Sequence, residues 1–274
     1  MLPAAMWDFS AVVAHLNLGV LLQKVFHPPD DFPAYLQIVF RWLHFLAGIT
    51  WIGHLYFFNL VNVNLMKALD GPTKGKVIPQ LMPRALWWFR WGAALTVLVG
   101  LAYYAMYMVG TDAKAQANVQ AGGRSSGIIL LVWLLFPIIV FGIEMGTIGK
   151  VKNGWVLAVI VAILMIAMAL GIMAWLKSSL PRAASTGTFS IGIGGAMGIV
   201  MMLNVWGIIW PNQKRIISWT ADNAENGTAI PAESATLARV AFLASRTNTW
   251  LSIPMLFFMA ASGPHFGGYL GINQ

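Results

Sequence analysis

Residues 154–176, GWVLAVIVAILMIAMALGIMAWL, contain no charged side chain. A helix needs about 20 predominantly apolar residues to cross a hydrocarbon core of about 30 Å. This stretch is therefore predicted to be a transmembrane helix. It is one of six such runs between Leu36 and Met259, so we predict an all-α integral membrane protein.

The other apolar runs divide the chain into short loops and long helices. They cover residues 36–62, 85–109, 127–148, 188–210 and 238–261. The paired prolines in the string HPPDDFP, residues 27–33, separate an amphipathic or marginal N-terminal segment, 1–33, from a polytopic membrane domain, 34–274. We predict a polytopic helical bundle of six transmembrane helices, or seven if segment 1–33 also spans.

The composition excludes a soluble protein, because 58% of residues are hydrophobic and 9% are charged, against about 25% charged in soluble domains. The net charge of +8 is spread over loop ends, which suits lipid headgroups, and nucleic-acid binding is not expected. The chain has no cysteine, so disulfides, thiolate metal sites and covalently attached c-type haem are excluded.

The basic residues of the loops predict an orientation. Loops 63–84, 149–153 and 212–239 hold nine Lys and Arg residues, and the opposite ends of the helices hold six. Cytoplasmic loops carry the excess of Lys and Arg. We therefore expect these loops on the cytoplasmic side of a bacterial inner membrane and the C-terminus on the outer, periplasmic side.

The string GIGGAMG, residues 192–198, superficially resembles a dinucleotide-binding fingerprint. No strand precedes it, and it lies inside an apolar run. Small residues let transmembrane helices approach closely. We predict a helix-packing surface here.

Three histidines are candidate cofactor ligands. His44 and His54 are ten residues apart on one predicted helix, about 15 Å along its axis, so they cannot hold one metal together. His44 is predicted to ligate haem iron, with His265 as a partner from beyond the last helix. A hydrogen-bonded packing role is the alternative for each histidine.

Charged residues inside the apolar runs are candidates for catalysis, although no catalytic residue is assigned. Glu144 and Arg246 are expected to pair at the depth of His54 and Asn204, because an unpaired charge in a membrane is costly. This second polar cluster is either a structural ion pair or a proton or anion site. Arg90 lies among tryptophans typical of an interfacial aromatic belt, where a quinone or purine could also stack.

Four strings resemble the membrane domain of the bacterial urate hydroxylase family called PuuD. They are RWLHFLAGITWIG at 41–53, MPRALWWFRW at 82–91, NVWGIIWPNQK at 204–214 and SRTNTWLSIPMLFFMAAS at 245–262. The resemblance runs from about residue 36 to 266. The residues carried over from it are His44, Asn204, Pro211, Asn212, Gln213 and Lys214.

This resemblance implies a membrane-embedded oxidoreductase domain, with urate as substrate and a cytochrome c module that accepts electrons. The sequence ends at Gln274 without such a module. We therefore expect a redox-associated electron-transport subunit that binds haem b and works with a separate cytochrome or a larger respiratory complex. The alternatives are a self-contained urate-oxidising enzyme that uses an external cytochrome c, and a cofactor-free structural subunit.

Overall fold

The structure is a computed structural model that describes residues 31–119 and 123–262. Over these residues the chain forms helices and no strand, which confirms the predicted all-α fold. The helices are α1 (Phe32–Ala68), α2 (Gly71–Val119), α3 (Ser126–Ile148), α4 (Gly154–Ser179), α5 (Thr186–Asn226) and α6 (Glu233–Ala260).

Five of these helices, α1 to α5, are long and apolar enough to cross a membrane. The sixth predicted span also forms a helix, α6, with 28 residues. With polar residues such as Arg239, Arg246 and Asn248, α6 is not among the helices that are long and apolar enough to cross a membrane. The multi-pass membrane protein is confirmed, and the sidedness of its ends stays a prediction.

The chain divides into two units, residues 1–39 and 40–274. In the first unit the described residues begin at Asp31, whose carboxylate accepts a hydrogen bond from the Ala34 backbone N–H at 2.8 Å. The predicted amphipathic segment 1–33 lies almost wholly outside the described residues. Everything that follows concerns the second unit.

Polar side chains cap the first turns of several helices. Asp70 accepts from the Thr73 backbone N–H at 2.7 Å, and Ser125, Asn153 and Ser185 accept in the same way at the starts of α3, α4 and α5. Such caps satisfy donors that the helix itself leaves free. The Thr73 N–H lowers the pKa of the Asp70 carboxyl.

Helices α1, α2 and α5 each contain a short π-helical turn. These turns are Phe57–Asn62, Tyr104–Val109 and Val205–Ile209. A π turn inserts one extra residue into the helix and often lies at a functional site. The first turn contains Asn59, and the third follows Asn204 directly, so both turns border buried amides.

Helix α5 is the centre of the core. In its apolar window 67% of residues are buried, against 22–33% in the other four spans. Glycines make this possible: a Cβ on Gly192 would lie 2.7 Å from the Tyr104 hydroxyl, and one on Gly194 would lie 2.9 Å from Phe258 Cβ. The Trp133 indole N–H also donates to the Gly192 carbonyl at 2.9 Å. The predicted packing role of residues 192–198 is therefore confirmed.

A buried carboxylate joins α2 to the start of α5. Asp112 Oδ2 accepts from the Thr188 hydroxyl at 2.6 Å and from the Ser185 backbone N–H at 2.8 Å. A negative group at a helix N-terminus is favoured by the helix dipole. These bonds fix the first turn of α5 in the core.

Two glycines one turn apart on α5 give a matched test of this packing. We expect Gly194→Ala to lower stability by about 1–3 kcal/mol, because its Cβ would press on Phe258 Cβ and the Met255 carbonyl of α6. Gly198→Ala meets no atom within 4 Å and should be neutral or slightly stabilising. Thermal melts in detergent measure both, and equal melting temperatures would contradict the packing role of Gly194.

Candidate functional site

A fully buried network of three polar side chains joins α3, α5 and α6. Asn204 Nδ2 donates to Glu144 Oε1 and to Asn248 Oδ1, both at 3.0 Å. Asn248 Nδ2 in turn donates to the Met201 carbonyl at 2.8 Å. The Glu144, Asn204 and Asn248 side chains are inaccessible to solvent. We call these three residues the carboxyl–amide network.

Helical periodicity places each member of the network on an inward face. On α3 the buried residues Trp133, Pro137, Val140 and Glu144 recur every three or four positions, so the carboxyl shares the face that packs against the core. On α6, Asn248 lies one turn after the buried Ala244. A polar residue at such a position is forced inward by its apolar neighbours.

Helix α6 also bonds to α1 through side chains. Asn59 Nδ2 donates to Ser245 Oγ at 2.7 Å and to the Leu55 carbonyl at 3.0 Å. The Tyr56 hydroxyl and Ser252 Oγ are hydrogen-bonded at 2.9 Å. These bonds place a polar stripe on α6 between the amides of α1 and α5.

Four side-chain oxygen atoms among the described residues are buried without a hydrogen-bond partner; one is Asn62 Oδ1, and the other three belong to the carboxyl–amide network and to Asn59. These three are Glu144 Oε2, Asn204 Oδ1 and Asn59 Oδ1. An unpaired buried acceptor costs about 1–3 kcal/mol, so natural proteins rarely keep one without a use. All three atoms are acceptors, which indicates that the region calls for hydrogen-bond donors or a positive charge.

The predicted second polar cluster forms only in part. Glu144 and Asn204 meet as expected, but the Glu144–Arg246 ion pair is wrong: across residues 31–119 and 123–262 the one ion pair joins Arg215 and Glu233. Arg246 is half-buried, with its guanidinium 5.2 Å from the centre of the Phe242 ring. The aromatic face gives that cation its contact without a carboxylate.

Arg90 on α2 is held by aromatic rings of α5. Its guanidinium carbon lies 3.8 Å from the ring centre of Trp210 and 5.7 Å from that of Trp206. The Trp206 indole N–H donates to the Arg90 carbonyl at 3.1 Å. Arg90 Nε is buried and has no partner in the described part of the chain. The cation is therefore stacked but not neutralised.

His44 lies against α2 with one ring nitrogen engaged. Its Nδ1 is hydrogen-bonded to the Thr96 carbonyl at 2.9 Å, so Nδ1 carries the proton and donates. A Cβ on Gly100 would lie 2.8 Å from the imidazole, so the ring fills the space that this glycine leaves. The tautomer leaves the Nε2 lone pair available to a metal, as in most metal-bound histidines.

The other two histidines do not join His44. His54 Nδ1 is bonded at 2.7 Å to the Thr50 carbonyl of its own helix, and its ring lies 6.4 Å from that of Phe58. His54 is not hydrogen-bonded to the carboxyl–amide network where it was expected. His265 lies outside the described residues. Within residues 31–119 and 123–262 no three His, Asp or Glu side chains converge on a metal position.

The Pro-Asn-Gln-Lys motif begins the helical stretch that follows the third π turn. Pro211 lies in the first turn of this stretch, Trp210–Asn226, where a missing N–H is tolerated. Asn212 Nδ2 donates to the Ile208 carbonyl at 2.9 Å, Gln213 is half-buried, and Lys214 is exposed. The motif therefore forms the first turn of α-helix after the π turn Val205–Ile209, which Asn204 precedes.

Sequence reasoning missed the part that uncharged amides play in this site. Asn248 belongs to one of the strings that resemble the family, and Asn59 lies in an apolar run, yet attention to ionisable groups passed over both. The available signal was the presence of an Asn inside three of the apolar runs, Asn59, Asn204 and Asn248, because a buried amide in a membrane needs partners.

The fold and this site together define a polytopic helical membrane protein with a buried carboxyl–amide network. Residues 69–272 match the family described as urate oxidase N-terminal, so the chain belongs to that family. The resemblance to the urate hydroxylase membrane domain is thereby confirmed, while the string at 41–53 lies outside the matched residues. Neither the curated proteins nor the solved structures gave a match to the chain.

Removing the central amide tests the network. We expect Asn204→Leu to lower stability by about 1–3 kcal/mol, because Glu144 Oε1 and Asn248 Oδ1 both lose their donor. Asn212→Leu is the control on the same helix, since that amide bonds only within its own helix and should cost less. Thermal melts that rank the two variants in the opposite order would show that the network does not stabilise the fold.

Proposed function

We propose that this protein is the redox-associated membrane subunit of a urate hydroxylase-like system in the bacterial inner membrane. Its electron acceptor is a separate cytochrome or a larger respiratory complex. Membership of the urate oxidase N-terminal family over residues 69–272 supports the class. The geometry of His44 is the observation that carries the redox part.

The imidazole of His44 would hold haem b. Its Nδ1–H is held by a carbonyl of the neighbouring helix, which fixes the ring and leaves Nε2 for iron. Haem iron receives four nitrogens from the porphyrin, so one or two protein ligands are enough and no cluster of acidic residues is needed. When bound, the haem would supply one-electron transfer.

His44→Ala should abolish a b-type haem signal. The measurement is a reduced-minus-oxidised absorption spectrum with pyridine haemochrome quantitation, made on the chain purified in mild detergent with its co-purifying partners. His54→Ala is the control, because its Nδ1 bonds to its own helix, and it should keep the haem.

Three outcomes would contradict this assignment. Haem lost only in His54→Ala would move the ligand to His54. Haem kept in both variants would remove both histidines as ligands. A stoichiometric complex in which this chain holds no haem would favour the cofactor-free structural subunit.

Arg90 favours a second candidate function, direct oxidation of urate with an external cytochrome c. Urate is an anionic purine at neutral pH, so it can use both a cation and aromatic faces. Arg90 stacks on Trp210 and has no carboxylate partner within residues 31–119 and 123–262, which leaves its N–H groups for an anion. Trp91, which meets Trp206 edge-on with ring centres 5.2 Å apart, adds a further aromatic face.

Arg90→Gln should lower kcat/KM for urate-dependent reduction of added cytochrome c by about tenfold or more, because a hydrogen bond to a charged group contributes about 1.5–3 kcal/mol. The control is Arg84→Gln on the same helix, an exposed arginine that bonds to Gln80. Its kcat/KM should stay unchanged. Equal effects of the two variants, or no urate-dependent reduction by the wild-type protein, would eliminate this candidate.

A further inference from the structure

Two acceptors of the carboxyl–amide network lack a hydrogen-bond donor, and one added proton could serve both. Both N–H groups of Asn204 are used, one on Glu144 Oε1 and one on Asn248 Oδ1. Two acceptors of the same pair of side chains, Glu144 Oε2 and Asn204 Oδ1, are buried and have no donor in the described part of the chain.

The orientation of the amides is fixed by their neighbours. Turning the Asn204 amide over would place its oxygen against Glu144 Oε1 and Asn248 Oδ1, which would then be two acceptors facing a third. Asn248 cannot turn either, because its Nδ2 donates to the Met201 carbonyl at 2.8 Å. The missing donor is therefore a property of the site.

We propose that Glu144 is a buried proton-binding site: it carries a proton on Oε2 and, as a neutral carboxylic acid, donates it to Asn204 Oδ1. A carboxylic acid and a primary amide can form two reciprocal hydrogen bonds, and Asn204 Nδ2 to Glu144 Oε1 is already one of them. A single proton satisfies both orphaned oxygens. It comes from water and returns to water, so no oxidant or other reactant is needed.

Among the described residues no cation faces Glu144, and a single N–H group, that of Asn204, donates to its carboxyl. The buried faces of α4, α5 and α6 contribute no titratable side chain, and those of α5 and α6 supply Asn204 and Asn248. Arg246, the charged residue nearest to Asn248 along α6, lies over the Phe242 ring. On α2, Tyr104 donates to the Thr188 carbonyl, and Asp112 accepts from Ser185 and Thr188. A buried carboxylate without a cation is strongly disfavoured relative to its neutral acid.

The composition of the chain allows a direct spectroscopic test. It contains three glutamates, Glu144, Glu225 and Glu233, and the last two are exposed. Glutamate labelled with ¹³C at the side-chain carboxyl therefore reports one buried group. In the infrared spectrum of the labelled protein at neutral pH, we expect an isotope-shifted carbonyl band of a protonated acid, above the amide I band.

Three variants assign this band. Glu144→Gln should abolish it, because the amide takes the place of the neutral acid. Asp112→Asn removes the other buried carboxyl of the described residues and should leave the band unchanged. Asn204→Leu should move the band to higher frequency, because the acceptor of the proton is gone, and an unchanged frequency would show that Asn204 does not accept it.

A neutral-pH spectrum of the labelled wild-type protein that shows only ionised glutamate would overturn the proposal. A buried water or a cation would then be the donor to the two oxygens. The wild-type spectrum decides the question even if a variant does not fold, since Glu225 and Glu233 face solvent. The experiment needs neither haem nor urate, so its outcome is independent of the proposed redox function.

Discussion

Within a hydrocarbon layer, every buried polar group must find its partner inside the protein. This constraint explains the arrangement of the interior polar side chains. Asn204 uses both of its N–H groups, Asn59 and Asn248 each bond to another helix or its backbone, and Asp112 binds the first turn of α5. Close van der Waals packing holds the helices together, and these bonds select which faces meet.

The π turns modify the helices next to those bonds. Two of the three lie beside a buried amide: Phe57–Asn62 contains Asn59, and Val205–Ile209 follows Asn204. An extra residue in a turn rotates everything beyond it relative to a regular α-helix. The side chains on either side of each turn therefore face directions that a regular helix would not allow.

The sequence predicts the helices of this protein better than it predicts the contacts of their polar side chains. The apolar runs predicted all six helices of the described residues, because length and hydrophobicity alone decide whether a segment is helical in a membrane. They did not predict that Arg246 contacts Phe242 instead of Glu144, since hydropathy does not show that the face of an aromatic ring can take a cation. Glu144 and Asn204 were placed together from their similar depth, whereas Asn248 was missed because it carries no charge.

The described contacts of His44 lie on α2, the helix that follows its own along the chain, and the carboxyl–amide network joins helices further along. Leu69 and Asp70 connect α1 to α2, and the His44 ring meets Thr96 and Gly100 across this helical hairpin. These contacts therefore need only α1 and α2. The carboxyl–amide network needs α3, α5 and α6, so it can form only after α6 has been made. The His44 contacts can therefore form earlier in synthesis than the carboxyl–amide network.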